Sequence, residues 1–264
     1  MPALIAFDTS TERMTVALRH GERVVAREGE GGARASATLL PAVLGVLADA
    51  GIALAELDAI AFGRGPGAFT GLRTACAVAQ GLALGARKPV LPIDTLLAVA
   101  EDARRGAADV RVWALLDARM DQVYAAEYAH ANGRWSTLVA PFLADCEALA
   151  ARWRDEPPMI VAGNALVAFG ARLDARGACS VADATPHATA LLRVAEQAWS
   201  DGAAVDPALA LPLYVRDKVA ETESERAARS LSVSAAPNRA APSPLRSPSS
   251  EREGRSPSAP RSDR

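Results

Sequence analysis

Two short stretches of this chain carry residue types that could meet a phosphate. In "DTST", Asp8 is followed at once by three hydroxyl residues. A carboxylate there can hold a metal-bound water, or it can accept backbone N–H groups and shape its own turn. In "GRGPGAFTGLR", Gly63, Gly65 and Gly67 precede Thr70, which is placed to cap a following helix. Glycine backbone leading into a helix N-terminus is an anion site in outline. Neither familiar nucleotide signature is present. No Gly-Lys-Ser/Thr follows, and Thr70 stands where a dinucleotide fingerprint has its third glycine. Either the glycines hold a ligand, or they only let a strand and a helix approach closely.

Other chemistry is thinner. Asp117 and Arg119 in "DAR" repeat the aspartate-and-turn pattern about 109 residues after Asp8, an internal echo that suggests two related lobes. The three histidines, His20, His130 and His187, form no HxxxH pair, so no metal site is expected. No GxSxG elbow supports a serine triad. Cys76, Cys146 and Cys179 are odd in number and lack CxxC spacing. A disulfide framework is not expected, and a reduced, cytoplasmic setting is the default.

The elements that must position these residues are legible. "ALIAF", "TVALR", "RVVAR" and "DAIAF" read as strands, with Gly21 in the turn between the second and third. "DAIAF" runs straight into the glycine stretch. A helix is expected from Thr38 to Ala50, with Thr38 as cap and Pro41 in its first turn. One of its apolar faces carries Leu40, Val43, Leu44 and Leu47, and another Leu39, Val46 and Ala50. A second helix from Thr70 to Leu84 is apolar nearly all round, with Gly71, Ala75, Ala79 and Ala83 on one stripe. Such a helix is covered on two sides, by its own chain or by a partner. Further on, "VRVWALLDAR", "QVYAAEY" and "MIVAGN" read as strands, and Ala188 to Ser200 as an amphipathic helix.

The 264 residues carry a net charge of −2, so no overall basic field draws the chain to nucleic acid. No uncharged apolar run approaches the roughly 20 residues of a membrane span. The pattern divides the chain into an N-terminal lobe, 1–108, a C-terminal lobe, 109–219, and a Ser/Pro/Arg-rich tail, 220–264. From Leu231 onward the tail has six arginines against three acids and no aromatic residue. It is expected to be disordered.

The stretches "AFDTST", "GRGPGAFTGLR", "AQGLALG", "DARMDQVYAAEY" and "PLYVRDKVA" together resemble the bacterial TsaB (YeaZ) family, from about Ala3 to Ala220. The resemblance implies an α/β, two-lobed ASKHA fold, that of actin, Hsp70 and sugar kinases, with ribonuclease H-like lobes. It implies a role in making threonylcarbamoyladenosine in tRNA, as a degenerate paralogue of the catalytic subunit TsaD. Implied partners are TsaD, the ATPase TsaE, a second copy of the chain when alone, and tRNA only through the complex. The two N-terminal helices would form the partner interface, through Leu39, Val43, Val46, Leu47, Leu72, Ala75, Ala79 and Leu82. In such ASKHA hairpins a glycine stands two residues after the aspartate; here Ser10 takes that place, and its Cβ hinders phosphate approach. Residual nucleotide or anion binding would involve Asp8, Ser10, Gly63, Gly65, Gly67 and Thr70. No cofactor is expected in this chain itself, while ATP or ADP with Mg would belong to the complex. The alternative is an ATP-binding ASKHA enzyme with its own phosphotransfer or ATPase activity.

Overall fold

The structure, a computed structural model, describes residues 1–175 and 177–216. The expected disordered tail, 220–264, lies outside the described residues, as do the last three residues of the expected second lobe.

The first half builds β1 (Leu4–Asp8), β2 (Arg13–His20), β3 (Arg23–Glu30), α1 (Ala35–Ala50), β4 (Ala59–Gly65), α2 (Phe69–Ala86), β5 (Val90–Asp94) and α3 (Thr95–Arg104). Its sheet has the order β3-β2-β1-β4-β5. The hairpins β1/β2 and β2/β3 are antiparallel, whereas β1/β4 and β4/β5 are parallel. β1 is apolar up to its last residue and is buried on both faces, as a central strand requires. β3 is mostly exposed and charged, which protects a sheet edge from pairing further. The tight turn before it uses Gly21 at φ +59°.

The second half repeats the plan. It contains β6 (Val110–Asp117), β7 (Val123–Ala131), β8 (Arg134–Ala144), α4 (Cys146–Asp155), β9 (Ile160–Ala162), α5 (Ala165–Phe169), β10 (Cys179–Val181) and α6 (Ala188–Ser200). The order β10-β9-β6-β7-β8 is the same topology, strand for strand, with the same parallel and antiparallel pairs. The fold is therefore the two-lobed α/β architecture of the ASKHA proteins.

The two sheets exchange helices. α3 belongs to the first half, yet it packs on β6 of the second sheet. α6 comes from the second half and packs on β1 and β2 of the first. One apolar core runs from Leu4, Ala6 and Ala61 through Leu96 and Val99 to Val112, Leu116 and Leu191. A second core lies on the other face of the first sheet, under α1 and α2.

Two helix starts differ from expectation. α1 begins at Ala35, led in by a short 3-10 turn at Gly32–Arg34. Thr38 sits inside the helix, and its hydroxyl donates to the carbonyls of Arg34 (3.1 Å) and Glu30 (3.2 Å) instead of capping. Pro41 therefore falls in the second turn. Its lost hydrogen bond and ring clash cost about 3 kcal/mol. Burial of Leu39, Val43, Val46 and Leu47 on the sheet outweighs this, at about 2 kcal/mol each. α2 begins at Phe69 with Ala68 as its N-cap, so Thr70 lies in the first turn and caps nothing.

Candidate functional site

The glycine stretch and the Asp8 turn are packed directly on each other. β4 ends at Gly65 beside the end of β1, which brings residues 63–71 onto the turn at Asp8–Ser10. A Cβ on Gly63 would overlap the Asp8 carboxylate, and one on Gly71 would overlap the Thr9 carbonyl oxygen. At Gly67 an added Cβ would come within 2.6 Å of the Ser10 Cβ and carbonyl oxygen. Hydrogen bonds close the same seam. The Thr9 hydroxyl donates to the Gly71 carbonyl (2.7 Å), and the Ala68 N–H donates to the Ser10 carbonyl (2.7 Å).

Gly65 has a separate reason. It sits at φ +118°, a backbone conformation side chains avoid, and faces the Leu213 carbonyl oxygen, 2.8 Å from where its Cβ would lie. The Leu213 N–H in turn donates to the Arg64 carbonyl (2.7 Å). The loop is thus covered by the Asp8 turn on one side and by residues near 213 on the other.

Asp8 is 1% exposed. Its Oδ1 accepts the Ser10 N–H (2.7 Å) and the Ser10 hydroxyl (2.5 Å); its Oδ2 accepts the Thr95 hydroxyl (2.9 Å). Burial pushes the carboxyl above its ordinary range, and the bonds from Ser10 and Thr95 pull it part of the way back. Ser10, read as an obstacle in a glycine position, supplies two of these bonds. Thr95, at the start of α3, carries no motif and was not legible as a partner.

Asp117 holds the matching place in the second half. Its Oδ1 accepts the Arg119 N–H (2.8 Å), the same two-residue reach as Asp8 to Ser10, and its own N–H donates to Asn164 Oδ1 (2.9 Å). Arg119 pairs with Asp117 at 3.1 Å and reaches across to Glu12 of the first half at 2.6 Å. Among the described residues, no group of three or more His, Cys, Asp or Glu is arranged to hold a metal ion. No described helix is long and apolar enough to cross a membrane.

The expected partner-interface residues require a correction. Leu39, Val43, Val46, Leu47, Leu72, Ala75 and Ala79 are all buried within this chain, and Leu82 is half-buried. All of them but Leu72 belong to the core beneath α1 and α2 or, in the case of Leu82, pack against it. Both helices are apolar on more than one side, and the sheet takes the side that carries these residues. The exposed faces carry other residues. On α1 they are Leu40 (42% exposed) and Leu44 (53%), flanked by Ala37, Pro41 and Ala48. On α2 they are Leu84 (61%), Ala77 and Gly81. The two helices pack side by side on one face of the sheet.

Comparison with known proteins agrees with this geometry. Residues 32–223 match the sequence family described as TsaD: tRNA N6-adenosine threonylcarbamoyltransferase. The chain is 42% identical over 133 residues to the tRNA threonylcarbamoyladenosine biosynthesis protein TsaB of Escherichia coli K12, covering 50% of this chain and 58% of that protein. It is 46% identical over 124 residues to the TsaB of Haemophilus influenzae, covering 46% of this chain and 51% of that protein. The aligned region thus spans little more than half the length of these two relatives. The solved structure of YeaZ from Pseudomonas aeruginosa matches with a TM-score of 0.74 at 39% identity, covering 81% of this chain and 100% of that one.

Proposed function

Because this chain belongs to the TsaB (YeaZ) family, within the wider family of the tRNA N6-adenosine threonylcarbamoyltransferase TsaD, we propose that it is a non-catalytic but required subunit of the bacterial complex that transfers threonylcarbamoyl to adenosine 37 of ANN-decoding tRNAs. It acts as scaffold and activator of TsaD, alongside the ATPase TsaE, and meets tRNA through the complex. Alone, it pairs with a second copy of itself. Its setting is the cytoplasm. It holds no cofactor of its own, and ATP or ADP with Mg belongs to the assembled complex.

The observation that carries this reading is the apolar surface left over once the chain's own core is filled. Leu40, Leu44 and Leu84 stand in water on two adjacent helices, with small residues between them. Small residues let a partner's helices approach closely, and a specific interface there would bury about 1,200–2,000 Å² in total. The rival reading, an ATP-using enzyme, needs Asp8 and the glycine loop to face a nucleotide. Here every oxygen of Asp8 is engaged within the chain, and the loop is covered on both sides.

Reconstituted tRNA modification tests the proposal. Activity should require this chain and should survive Asp8→Asn. It should be lost with Gly81→Trp, at an exposed position where an added Cβ meets nothing within 4 Å. Full activity without this chain would overturn the subunit reading, and wild-type copurification of Gly81→Trp with TsaD would overturn the docking face on α1 and α2.

A further inference from the structure

The motif "PLYVR", Pro212 to Arg216, has no part in the docking surface or in the Asp8 turn, yet the chain grips it at almost every residue. The grip starts in the first half. Gln80 of α2 donates from Nε2 to the carbonyls of Pro207 and Ala210, both at 3.1 Å, and Ala210 is fully buried in the core under α2. Leu213 bonds to the glycine loop at Arg64. The Tyr214 ring lies 5.3 Å from Phe69, and its hydroxyl accepts Arg73 Nε at 3.0 Å. The segment then crosses to the second half. Val215 packs against the core shared by both sheets. Arg216 donates from Nη2 to the Ala118 carbonyl (3.0 Å) and the Arg119 carbonyl (3.4 Å), and from Nη1 to the Met120 thioether sulfur (3.5 Å).

The turn at that far end is strained. Arg119, Met120 and Asp121 follow one another at φ +60°, +52° and +64°, and none is glycine. Such residues each cost about 1 kcal/mol or more and persist only where surrounding contacts hold them. The holding groups are visible. Arg172 grips Asp121 through two bonds of 2.5 and 2.8 Å, Arg119 reaches Glu12, and Arg216 takes the turn's carbonyls. Two of these three contacts come from outside the second half's own elements: Glu12 from the β1–β2 turn, and Arg216 from the end of the "PLYVR" segment.

We infer that residues 207–216 form a latch that fixes the two sheets against each other. It is fastened to α2 and the glycine loop at one end and to the strained 118–121 turn at the other. The turn is the element that yields when the latch is released. The closed latch keeps the two halves a rigid platform, so the inference deepens the subunit reading proposed above and bears on how the platform could be switched.

Amide hydrogen exchange on the full chain tests this without any partner, so its failure is distinct from a failure of the subunit reading. Arg216→Ala removes the far anchor only. Exchange should speed up at least about tenfold at the 118–122 turn, the effect of losing the charge-assisted hydrogen bonds from Arg216. It should also speed up at the Leu213 amide, which bonds to Arg64, and at the Ala68 amide of the first half, with α3 and α6 unchanged. Tyr214→Phe deletes only the hydroxyl that Arg73 bonds and should produce a smaller change at the same two places. Wild-type exchange at the turn in Arg216→Ala, or faster exchange confined to the turn with 64–68 and 213 unmoved, would overturn the latch. If Arg216→Ala does not fold, Tyr214→Phe decides alone: no change at 118–122 sinks the proposal.

Discussion

The Asp8 carboxylate fills the space that a side chain at Gly63 would need, and the same Oδ2 that would collide accepts the Thr95 hydroxyl at 2.9 Å. Aspartate, glycine and threonine come from three different elements and meet at one buried point. The glycine stretch is thus shaped around the Asp8 turn, and its small residues are spent on that seam.

Gly63→Ala should therefore destabilise the fold. The colliding group is a buried carboxylate fixed by three hydrogen bonds, so it cannot step aside. The loss should be about 3 kcal/mol, the upper range for overpacking. Gly21→Ala, in the exposed hairpin turn with open space around it, should cost only about 1 kcal/mol from its positive φ. Chemical denaturation of the two variants gives the comparison; equal losses would contradict the packing account.

Stability should carry a mark of Asp8 in its pH dependence. The unfolded carboxyl titrates near 3.8 and the folded one higher. The folded state thus holds the proton more tightly, and this contribution is whole below 3.8 and drains away as pH rises through the folded value. Asparagine cannot ionise and keeps an oxygen for Ser10. The melting temperature of Asp8→Asn should gain on wild type as pH rises above 3.8. A constant gap across that range would refute the assignment.

Glu101 runs the other way. Burial alone would raise its carboxyl, but bonds from Arg104 and Trp135 and the charges of Arg104 and Arg193 hold it below its ordinary 4.5. Its contribution is present above 4.5 and is lost as pH falls through the folded value. Glu101→Gln should cost about 3 kcal/mol at neutral pH, at the low end for a broken buried pair because Arg193 is half in water. The cost should shrink in acid, as pH titrations of melting temperature would reveal.

Thiol labelling of the native protein should modify one cysteine of three. Cys179 is exposed on the edge strand β10, whereas burial shields Cys76 and Cys146 and raises their thiols. Rapid reaction of a second thiol before unfolding would mean that one of those cores opens.

Much of the scaffold was legible because strands and turns are written locally. The strand ending in Asp8, the Gly21 turn, the strand feeding the glycine stretch and the repeat at Asp117 all follow from apolar runs and punctuation. The phase of α1 and α2 was not. With Leu39, Leu40, Val43, Leu44, Val46 and Leu47 all apolar, the helix alone does not say which side meets a sheet. Thr38 and Thr70 looked like caps by residue type, but tertiary packing moved both helix starts upstream. The choice between ligand loop and packing loop also lay beyond local reading, because the groups that fill the glycines, Asp8, Thr9, Ser10 and Leu213, are far away in the chain.

The exchange of α3 and α6 between the sheets has a consequence for biosynthesis. On the first sheet, the face over β1 and β2 stays uncovered until α6 has left the ribosome, by which point nearly all of the folded chain has been made. The first half should therefore not mature during translation as an independent unit. A nonsense or frameshift lesion far downstream, anywhere before Ser200, should remove the N-terminal half from the soluble pool together with the segment it deletes.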